Sequence, residues 1–443
     1  MSRNQRLIQE KQGKRAGDGA GEDGRETPGV SARIINLPAG WKNKRLDKVA
    51  IIQTGIAKNQ NSRQETVELP YLRVANVQDG FLDLSEIKTI NVHKDKADRY
   101  RLKTGDVLLT EGGDFDKLGR GAVWEGQIPN CVHQNHVFVV RVNNSELLPS
   151  FLSAQTGSSY GKRYFLNCSK QSTNLASINS SQLKAFPVLF PPLPEQKAIV
   201  DLLSAWDEAI EKTERLVQAK EKNFNWLLRE LIPQQRKTQK SARWKKVKLG
   251  EVCKIARKEK LSSVNDCFLL TVKLHCLGIE RNDRIAPKLT ELGRPYFQHK
   301  SGDFLIGRQN FHRGGFGIIP PELDGGITSN AISCLIVNES KLLKDFLWFQ
   351  FSNSNYYKKI GYVMDGTGQK ELSDKQILKL KICLPGIETQ NRIAKTLCLA
   401  QHEIDLLKRL AEKYKTQKRG LMQKVLTGQW RIRPEIVERY VEV

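Results

Sequence analysis

The stretch Phe190-Pro-Pro-Leu-Pro-Glu-Gln-Lys-Ala-Ile-Val200 opens a helical pattern that runs without a breaker to about Ile232. Pro194 suits a first helical turn, where its missing N–H is not needed, and Glu195 complements the positive end of the helix dipole. Apolar residues then recur at alternating spacings of four and three: Ile199, Leu203, Trp206, Ile210, Thr213, Val217, Lys220, Phe224, Leu227 and Leu231. Only Thr213 and Lys220 break the series. A second stretch repeats it with Ile393, Leu397, Ala400, Ile404, Leu407, Ala411, Tyr414, Lys418, Leu421 and Val425, where only Lys418 is charged, and Gly428 offers a C-terminal cap. A seven-residue repeat sustained over about five heptads, roughly 50 Å of helix, is the pattern of a coiled-coil seam. The alternative is two ordinary amphipathic helices, each covering its own domain; the regularity and length favour the seam. Two such helices in one chain pair most simply with each other, and a twofold perpendicular to the seam makes the pair antiparallel.

The two helices belong to a larger duplication. At an offset near 194, Gln182-Leu183 lies over Gln376-Ile377, Pro191 over Pro385, Gln196 over Gln390 and Ile210-Glu211 over Ile404-Asp405. Upstream the offset becomes 195, with Val142-Asn143 over Val337-Asn338, Leu147-Leu148 over Leu342-Leu343 and Phe151-Leu152 over Phe346-Leu347. Further upstream the match decays to Trp41 with Trp244, Gly105-Asp106 with Gly302-Asp303 and Asn135 with Asn330. A period this long is a duplicated half-protein, with two like halves about a pseudo-twofold axis.

The intervening sequence reads as two mixed domains, so the fold class is α+β. Asp106–Thr110, Val137–Val142 and Ile332–Val337 read as strands, and Glu146–Tyr164 and Lys341–Tyr362 as helices. Glu111-Gly112-Gly113 and Arg313-Gly-Gly-Phe-Gly317 read as turns. The expected organisation is a flexible tail over 1–36, a first domain over 37–190, a long helix over 191–236, a second domain with its leading linker over 237–385, a second long helix over 386–430, and a C-terminal tail over 431–443.

The 443 residues carry 72 Lys and Arg against 48 Asp and Glu, a formal charge of +24. Such a chain is drawn to polyanions, nucleic acid first and an anionic membrane second. No apolar run reaches the roughly 18–20 residues needed to span a bilayer, and the N-terminus lacks an apolar signal core, which argues against secretion. None of the eight cysteines forms a CxxC pair, which argues against zinc ribbons and fits reduced thiols in a cytoplasmic protein.

Two divergent domains, two similar long helices and a basic charge together resemble the DNA-specificity subunit of type I restriction–modification systems. The resemblance rests on the Phe190–Val200 stretch and on Lys418-Arg-Gly-Leu-Met-Gln-Lys-Val-Leu-Thr-Gly-Gln-Trp430. Tyr71-Leu-Arg-Val-Ala-Asn76 followed by Asp79-Gly80, and Lys103-Thr-Gly-Asp-Val-Leu-Leu109, add to it. It covers about residues 37–432. The first helix departs by ending Asn223-Phe-Asn-Trp-Leu-Leu-Arg-Glu-Leu-Ile232, and the second helix entry departs by reading Leu384-Pro-Gly-Ile-Glu-Thr-Gln390.

The resemblance implies a non-catalytic subunit whose two target-recognition domains each read half of a bipartite site on double-stranded DNA. The paired helices would set the gap and bind two methyltransferase (modification) subunits. Restriction/translocase subunits would join them, and S-adenosylmethionine, ATP and Mg would be bound by those partners, with no cofactor in this chain. The setting would be the bacterial or archaeal cytoplasm, at the nucleoid through DNA, with no membrane. The alternatives are a coiled-coil adaptor for acidic proteins, or a stand-alone DNA-modifying enzyme.

Base readout in the major groove uses Arg or Lys for guanine and Asn or Gln for adenine, presented from loops or helix starts. In the first domain the candidates are Arg73, Asn76, Arg120, Gln134, Asn135, Lys170, Gln171 and Asn174. In the second they are Arg281, Arg284, Arg308, Gln309, Asn310, Arg313, Gln369 and Lys370. The bland reading of each is a solvated side chain or a loop hydrogen bond.

Enzymatic signatures are missing. There is no Asn-Pro-Pro-aromatic or Asp-Pro-Pro-aromatic methyltransferase motif and no GxxxxGK[ST] loop. Asp365-Gly-Thr-Gly-Gln369 lacks the strand–GxGxxG–helix setting and reads as a loop near DNA or a turn. Cys131-Val-His-Gln-Asn-His136 has no fourth zinc ligand at a recognisable spacing, and reads as a strand edge with a polar turn. Asp114 and Asp116 read as a solvated loop. No metal site is expected.

Overall fold

The computed structural model describes residues 37–57, 65–113, 115, 118–171, 176–232, 244–290, 293–362, 364 and 371–441. The chain forms two compact units, Met1–Val200 with Met422–Val443, and Asp201–Leu421.

In the first unit, strand Ala50–Gln53 pairs with Val137–Val142, which pairs with Val107–Thr110, which pairs with Gly121–Val123, all antiparallel. The inward residues Leu108, Val137, Val139 and Trp124 form one core with Leu72 and Val77. A second sheet orders Lys88–His93, Thr66–Leu72 and Val132–His133. The unit is closed by Lys42–Arg45 pairing with Pro187–Phe190, residues 142 to 148 apart in sequence at the ends of the domain.

The second unit repeats this plan. Lys245–Lys248 pairs with Lys381–Leu384. A four-stranded sheet orders Cys253–Ile255, Ile332–Val337, Phe304–Gly307 and Phe316–Ile318. Another orders Ile279–Asn282, Leu269–Val272, Ile327–Ser329 and Tyr296–Gln298. Its core is aromatic: Phe311, Phe316 and Phe351 pack with ring centroids 5.0–5.5 Å apart.

The residues that match between the halves are those that direct the backbone. Asn143 and Asn338 make the same turn, each accepting from the N–H and hydroxyl two residues on, Ser145 and Ser340. Gln182 and Gln376 complete capping boxes with Asn179 and Ser373. Gln196 and Gln390 are fully buried and lock the entry to each long helix. The Gln196 amide donates to the carbonyls of Glu146 (2.7 Å) and Pro191 (2.8 Å) and accepts from Leu148 N–H (2.9 Å). Gln390 repeats the set with Lys341, Pro385 and Leu343, each at 2.9 Å.

Both helices expected near 146–164 and 341–362 are broken in two. Pro149–Gly157 is followed by Ser159–Cys168, and Lys344–Ser352 by Ser354–Ile360. Ser158 and Asn353 adopt extended backbone at the break and cap the second segment with their own side chains. Short polar side chains compete with the helical bond in this way, and the apolar spacing around them conceals the break. Glu111-Gly112-Gly113, expected as a turn, places Gly112–Gly113 as a strand against Ala176–Ser177. A Cβ on Gly112 would meet the Ala176 carbonyl at 2.8 Å, so only glycine allows this approach.

The long helices run Leu193–Leu231 and Ile387–Val425, shorter at both ends than the expected 191–236 and 386–430. Every position of both 4-3 series is buried or half-buried, whereas Leu216, Trp226, Leu399, Leu406 and Leu410, off the series, are exposed. Within the second unit the two helices face each other. Asp207 pairs with Lys418, Glu214 with Lys415, and Lys220 and Glu221 with Glu403 and Lys408. Rising numbers on one helix meet falling numbers on the other, so the pairing is antiparallel. Trp206 packs edge-on against Tyr414, centroids 5.7 Å apart, inside the seam.

From Met422 the chain belongs to the first unit again. Gln155 donates to the Leu426 carbonyl (2.8 Å), and Arg431 holds the buried Glu195 with two bonds of 2.6 and 2.7 Å. Gly428, at φ +74°, sits against Pro38, whose ring a Cβ would meet at 2.8 Å.

Two expectations follow. Replacing Gln390 by alanine strands a buried N–H and two carbonyls. It should cost about 2 kcal/mol or more in urea unfolding, and more than Gln401→Ala, whose side chain lies on the exposed side of the same helix. His133, 1 % exposed, is held neutral because burial lowers its pKa from 6.5 to about 4. The unfolded chain binds that proton first, so stability should fall as pH drops from about 6.5 toward 4. His133→Gln should flatten the pH 6.5–5 part of that decline.

Candidate nucleic-acid interface

In the first unit, residues distant in sequence converge at one end of the four-stranded sheet. Strand Val107–Thr110 ends there, and Gly121–Val123 and Val137–Val142 begin there. Arg120 precedes one entering strand and its carbonyl accepts from Thr110 N–H (2.9 Å). Gln134 and Asn135 precede the other; Gln134 N–H reaches the Leu72 carbonyl (2.9 Å), which brings Arg73 to the same end. Glu111 continues from Thr110, accepts from Ile178 N–H (2.9 Å), and leads into the Gly112–Gly113 strand. Lys170–Gln171 pairs with Ala176–Ser177, which pairs with that strand. Lys170 and Gln171 are thereby exposed on a narrow ribbon beside the loop residues.

The second unit builds the same end from its own sheet. Arg308, Gln309 and Asn310 follow Phe304–Gly307, Arg313 precedes Phe316–Ile318, and Arg308 N–H reaches the Ala331 carbonyl (3.1 Å) just before Ile332–Val337. Arg281 and Arg284 lie elsewhere, on and just after the outer strand Ile279–Asn282, both exposed. The Arg281 guanidinium stacks 4.8 Å above the Phe268 ring and pairs with Asp283.

Not all candidates are available to a ligand. Asn76 is 3 % exposed, and its amide is spent on Arg73 N–H and on the carbonyls of Asp83 and Glu86 at 2.9–3.0 Å. It builds the loop and leaves no edge for a base. Arg73 is drawn to Glu86, with 19 % of its side chain exposed. Arg308 is spent on the carbonyls of Leu372 and Asn330 and on Glu371 (2.5 Å). Arg120 donates to Gln78 (2.8 Å) and is half-buried, as are Gln134, Asn135 and Gln309. Exposed at the sheet ends are Lys170, Gln171, Asn310 and Arg313. Asn174, Gln369 and Lys370 lie outside the described residues, as do Asp114, Asp116 and the Asp365–Gln369 run.

The Cys131–His136 stretch does not converge on a metal. His133 Nδ1 donates to the buried Val137 carbonyl (2.7 Å), whereas His136 Nδ1 faces Glu111 (2.5 Å) at the exposed end. Burial pushes the Cys131 thiol up to about 12.

Sequence reasoning passed over residues that hold the site: Gln78 accepts from Arg120, and Glu86 holds Arg73. At the opposite end of the sheet the Asp106–Arg141 pair, with bonds of 2.8 and 2.7 Å, ties adjacent strands. In the sequence Asp106 stands in the Lys103–Leu109 stretch, at the start of a strand and in a repeated Gly-Asp. No helix among the described residues is long and apolar enough to cross a membrane.

Comparison with known proteins agrees with this architecture. The family model described as the type I restriction modification DNA specificity domain matches twice, over residues 38–221 and 242–414. The MjaX specificity subunit of a type I restriction enzyme from Methanocaldococcus jannaschii is 24 % identical over 433 residues, covering 90 % of this chain and 96 % of that one. The EcoKI specificity subunit of Escherichia coli is 26 % identical over 169 residues, 36 % of this chain and 35 % of its own. Among solved structures, a chain from a study of complex assembly and conformational transition of the type I R-M system aligns with a TM-score of 0.59 at 18 % identity. That alignment covers 89 % of this chain and 99 % of that one. The S subunit from M. genitalium aligns with a TM-score of 0.52 at 16 % identity, covering 88 % and 96 %. With the duplicated domain, the paired helices and a family match over most of its length, the chain belongs to the type I restriction–modification DNA-specificity family.

Proposed function

We propose that this chain is the sequence-reading subunit of a type I restriction–modification complex, itself without catalytic chemistry, and that its two domains each read one half of a bipartite double-stranded DNA site. The observation that carries this reading is the repeated sheet end. In both units the same strand termini gather polar and basic side chains from distant segments, while the residues at those termini differ between the halves. Shared scaffolding with divergent tips is what two different half-sites require, and the charge of +24 supplies phosphate affinity.

Within that reading, domains 37–190 and 237–385 act as the recognition domains and 193–231 and 387–425 as the spacer. Lys170, Gln171, Asn310 and Arg313 are the residues proposed to reach base edges, together with Asn174, Gln369 and Lys370. Arg281 and Arg284, away from the sheet end, fit phosphate contacts. Arg73, Arg120, Gln134, Asn135, Arg308 and Gln309 hold the loops. The half-buried and buried 4-3 residues fix the antiparallel register, so they set the gap between half-sites. The exposed Leu399, Leu406 and Leu410, on one side of the second helix, suit a modification subunit that supplies S-adenosylmethionine and the methyl transfer. ATP and Mg belong to restriction subunits.

Methylation mapping in cells expressing this chain with its neighbouring methyltransferase should reveal methyladenine in a two-part motif with a fixed gap, present only when both genes are present. The same motif written by the methyltransferase alone would remove this chain from site choice. Deleting one heptad from each long helix should change the gap or abolish assembly and leave the half-site bases as they were; altered bases at an unchanged gap would contradict the spacer role. In DNA binding by the assembled complex, Gln171→Ala and Arg313→Ala should each cost about 1–3 kcal/mol and relax one half-site only. Arg284→Ala should weaken all sequences alike and reduce the log–log salt slope by about 1.

A further inference from the structure

Asp106 and Asp303 occupy the same place in the two units, each before a central strand and after a glycine at positive φ. Each accepts from the N–H three residues back, Lys103 (2.7 Å) and Lys300 (3.0 Å). Their other partners differ. Asp106 is neutralised by Arg141 on the neighbouring strand. The position matching Arg141 is Ile336, which is exposed. Asp303 instead faces His299 and Cys334, with Lys258 on one carboxylate oxygen at 2.6 Å. A ligand atom from each of His299, Asp303 and Cys334 lies within 4.8 Å of the other two, the imidazole Nδ1 being 3.6 Å from a carboxylate oxygen of Asp303.

The histidine is the informative member. It is 2 % exposed, and its Nε2 is engaged by the buried Thr328 hydroxyl at 2.8 Å. Its Nδ1 is buried with no hydrogen-bond partner. An unpartnered imidazole nitrogen inside a protein is costly, and here it is directed toward a carboxylate and a thiol. Nothing in the fold demands this set: Leu102 and Val139 stand near the corresponding places in the first unit, and both are apolar.

We propose that His299 Nδ1, Asp303 and Cys334 form a zinc(II) site specific to the second unit, completed by a solvent ligand. Donor atoms around a tetrahedral zinc at about 2.0–2.3 Å lie about 3.3–3.8 Å from one another, so the observed cluster needs little contraction. One thiolate, one imidazole and one carboxylate suit zinc better than calcium or magnesium, which take oxygen sets. The Thr328 hydroxyl can accept from Nε2–H, the tautomer in which Nδ1 is free to coordinate, and Lys258 remains hydrogen-bonded to the carboxylate as its outer partner. On binding, the S–H bond of Cys334 breaks, the S–Zn bond forms and one proton passes to solvent. Two anionic ligands balance the metal's charge in a half-buried place. Without metal the thiol keeps its proton, since burial pushes it up to about 12.

The test uses the full-length chain, stripped with chelator and titrated with zinc(II), and with cobalt(II) as the spectroscopic probe. One metal per chain, one proton released, and a cobalt–thiolate charge-transfer band are expected. Cys334→Ser should abolish the band and His299→Ala should weaken binding about tenfold or more. Cys398→Ser, altering an exposed thiol elsewhere, should change neither. Failure of the unaltered chain to retain either metal, or a band that survives Cys334→Ser, would overturn the proposal. X-ray absorption on the unaltered zinc-loaded chain needs no variant: one sulfur with nitrogen and oxygen neighbours is expected, and a shell without sulfur would overturn it equally.

Discussion

The structure depends on a buried glutamine at the mouth of each long helix. Gln196 and Gln390 each satisfy two carbonyls and one N–H that would otherwise be stranded where a domain turns into a helix. A buried amide can hold three backbone segments at once because it carries donors and acceptors in one rigid plane. Once the helix direction is set at its first turn, the 4-3 series follows, and with it the face that meets the other helix. The ion pairs along the rim add register more than stability, since most are exposed and individually weak.

Duplication has conserved geometry more than composition. The Asx turns, the capping boxes and the helix-entry glutamines recur at the same positions, while the neighbouring side chains differ. Asp106 with Arg141 and Asp303 with Lys258, His299 and Cys334 show one turn serving two environments. The sheet ends show the same principle: the connection between the corresponding strands ends in Arg120 in one half and carries Asn310 and Arg313 in the other. A protein that reads two unlike half-sites needs this separation between an invariant frame and variable tips.

Much of the frame was legible because it is local. Strands Val137–Val142 and Ile332–Val337 emerge from their β-branched runs with the bounds read from sequence. The long helices differ from expectation only at their ends, where periodicity carries no information about the last turn. The broken helices at Ser158 and Asn353 were hidden because the apolar spacing continues across the break, and a single capping side chain decides it. Gly112–Gly113 looked like a turn because two glycines permit one; the Ala176 carbonyl, more than 60 residues away, draws them into a strand.

By itself, the sequence determined the duplication, the α+β class, the antiparallel seam and the polyanion-seeking charge. These are properties of spacing and composition: the class and the charge show in a window of a few dozen residues, the duplication and the seam in spacings that recur at an offset near 194. Only the tertiary structure decided which polar side chains remain for a ligand. Asn76 and Gln171 are equally good adenine readers on paper, yet one is buried under three hydrogen bonds and the other stands exposed on a ribbon. Partners such as Asp83, Glu86 and Leu372 lie on separate loops, and hydrogen bonds between loops obey no period. The convergence of residues 73, 120, 134 and 170 at one sheet end likewise follows from strand order, which long-range pairing sets and local pattern does not.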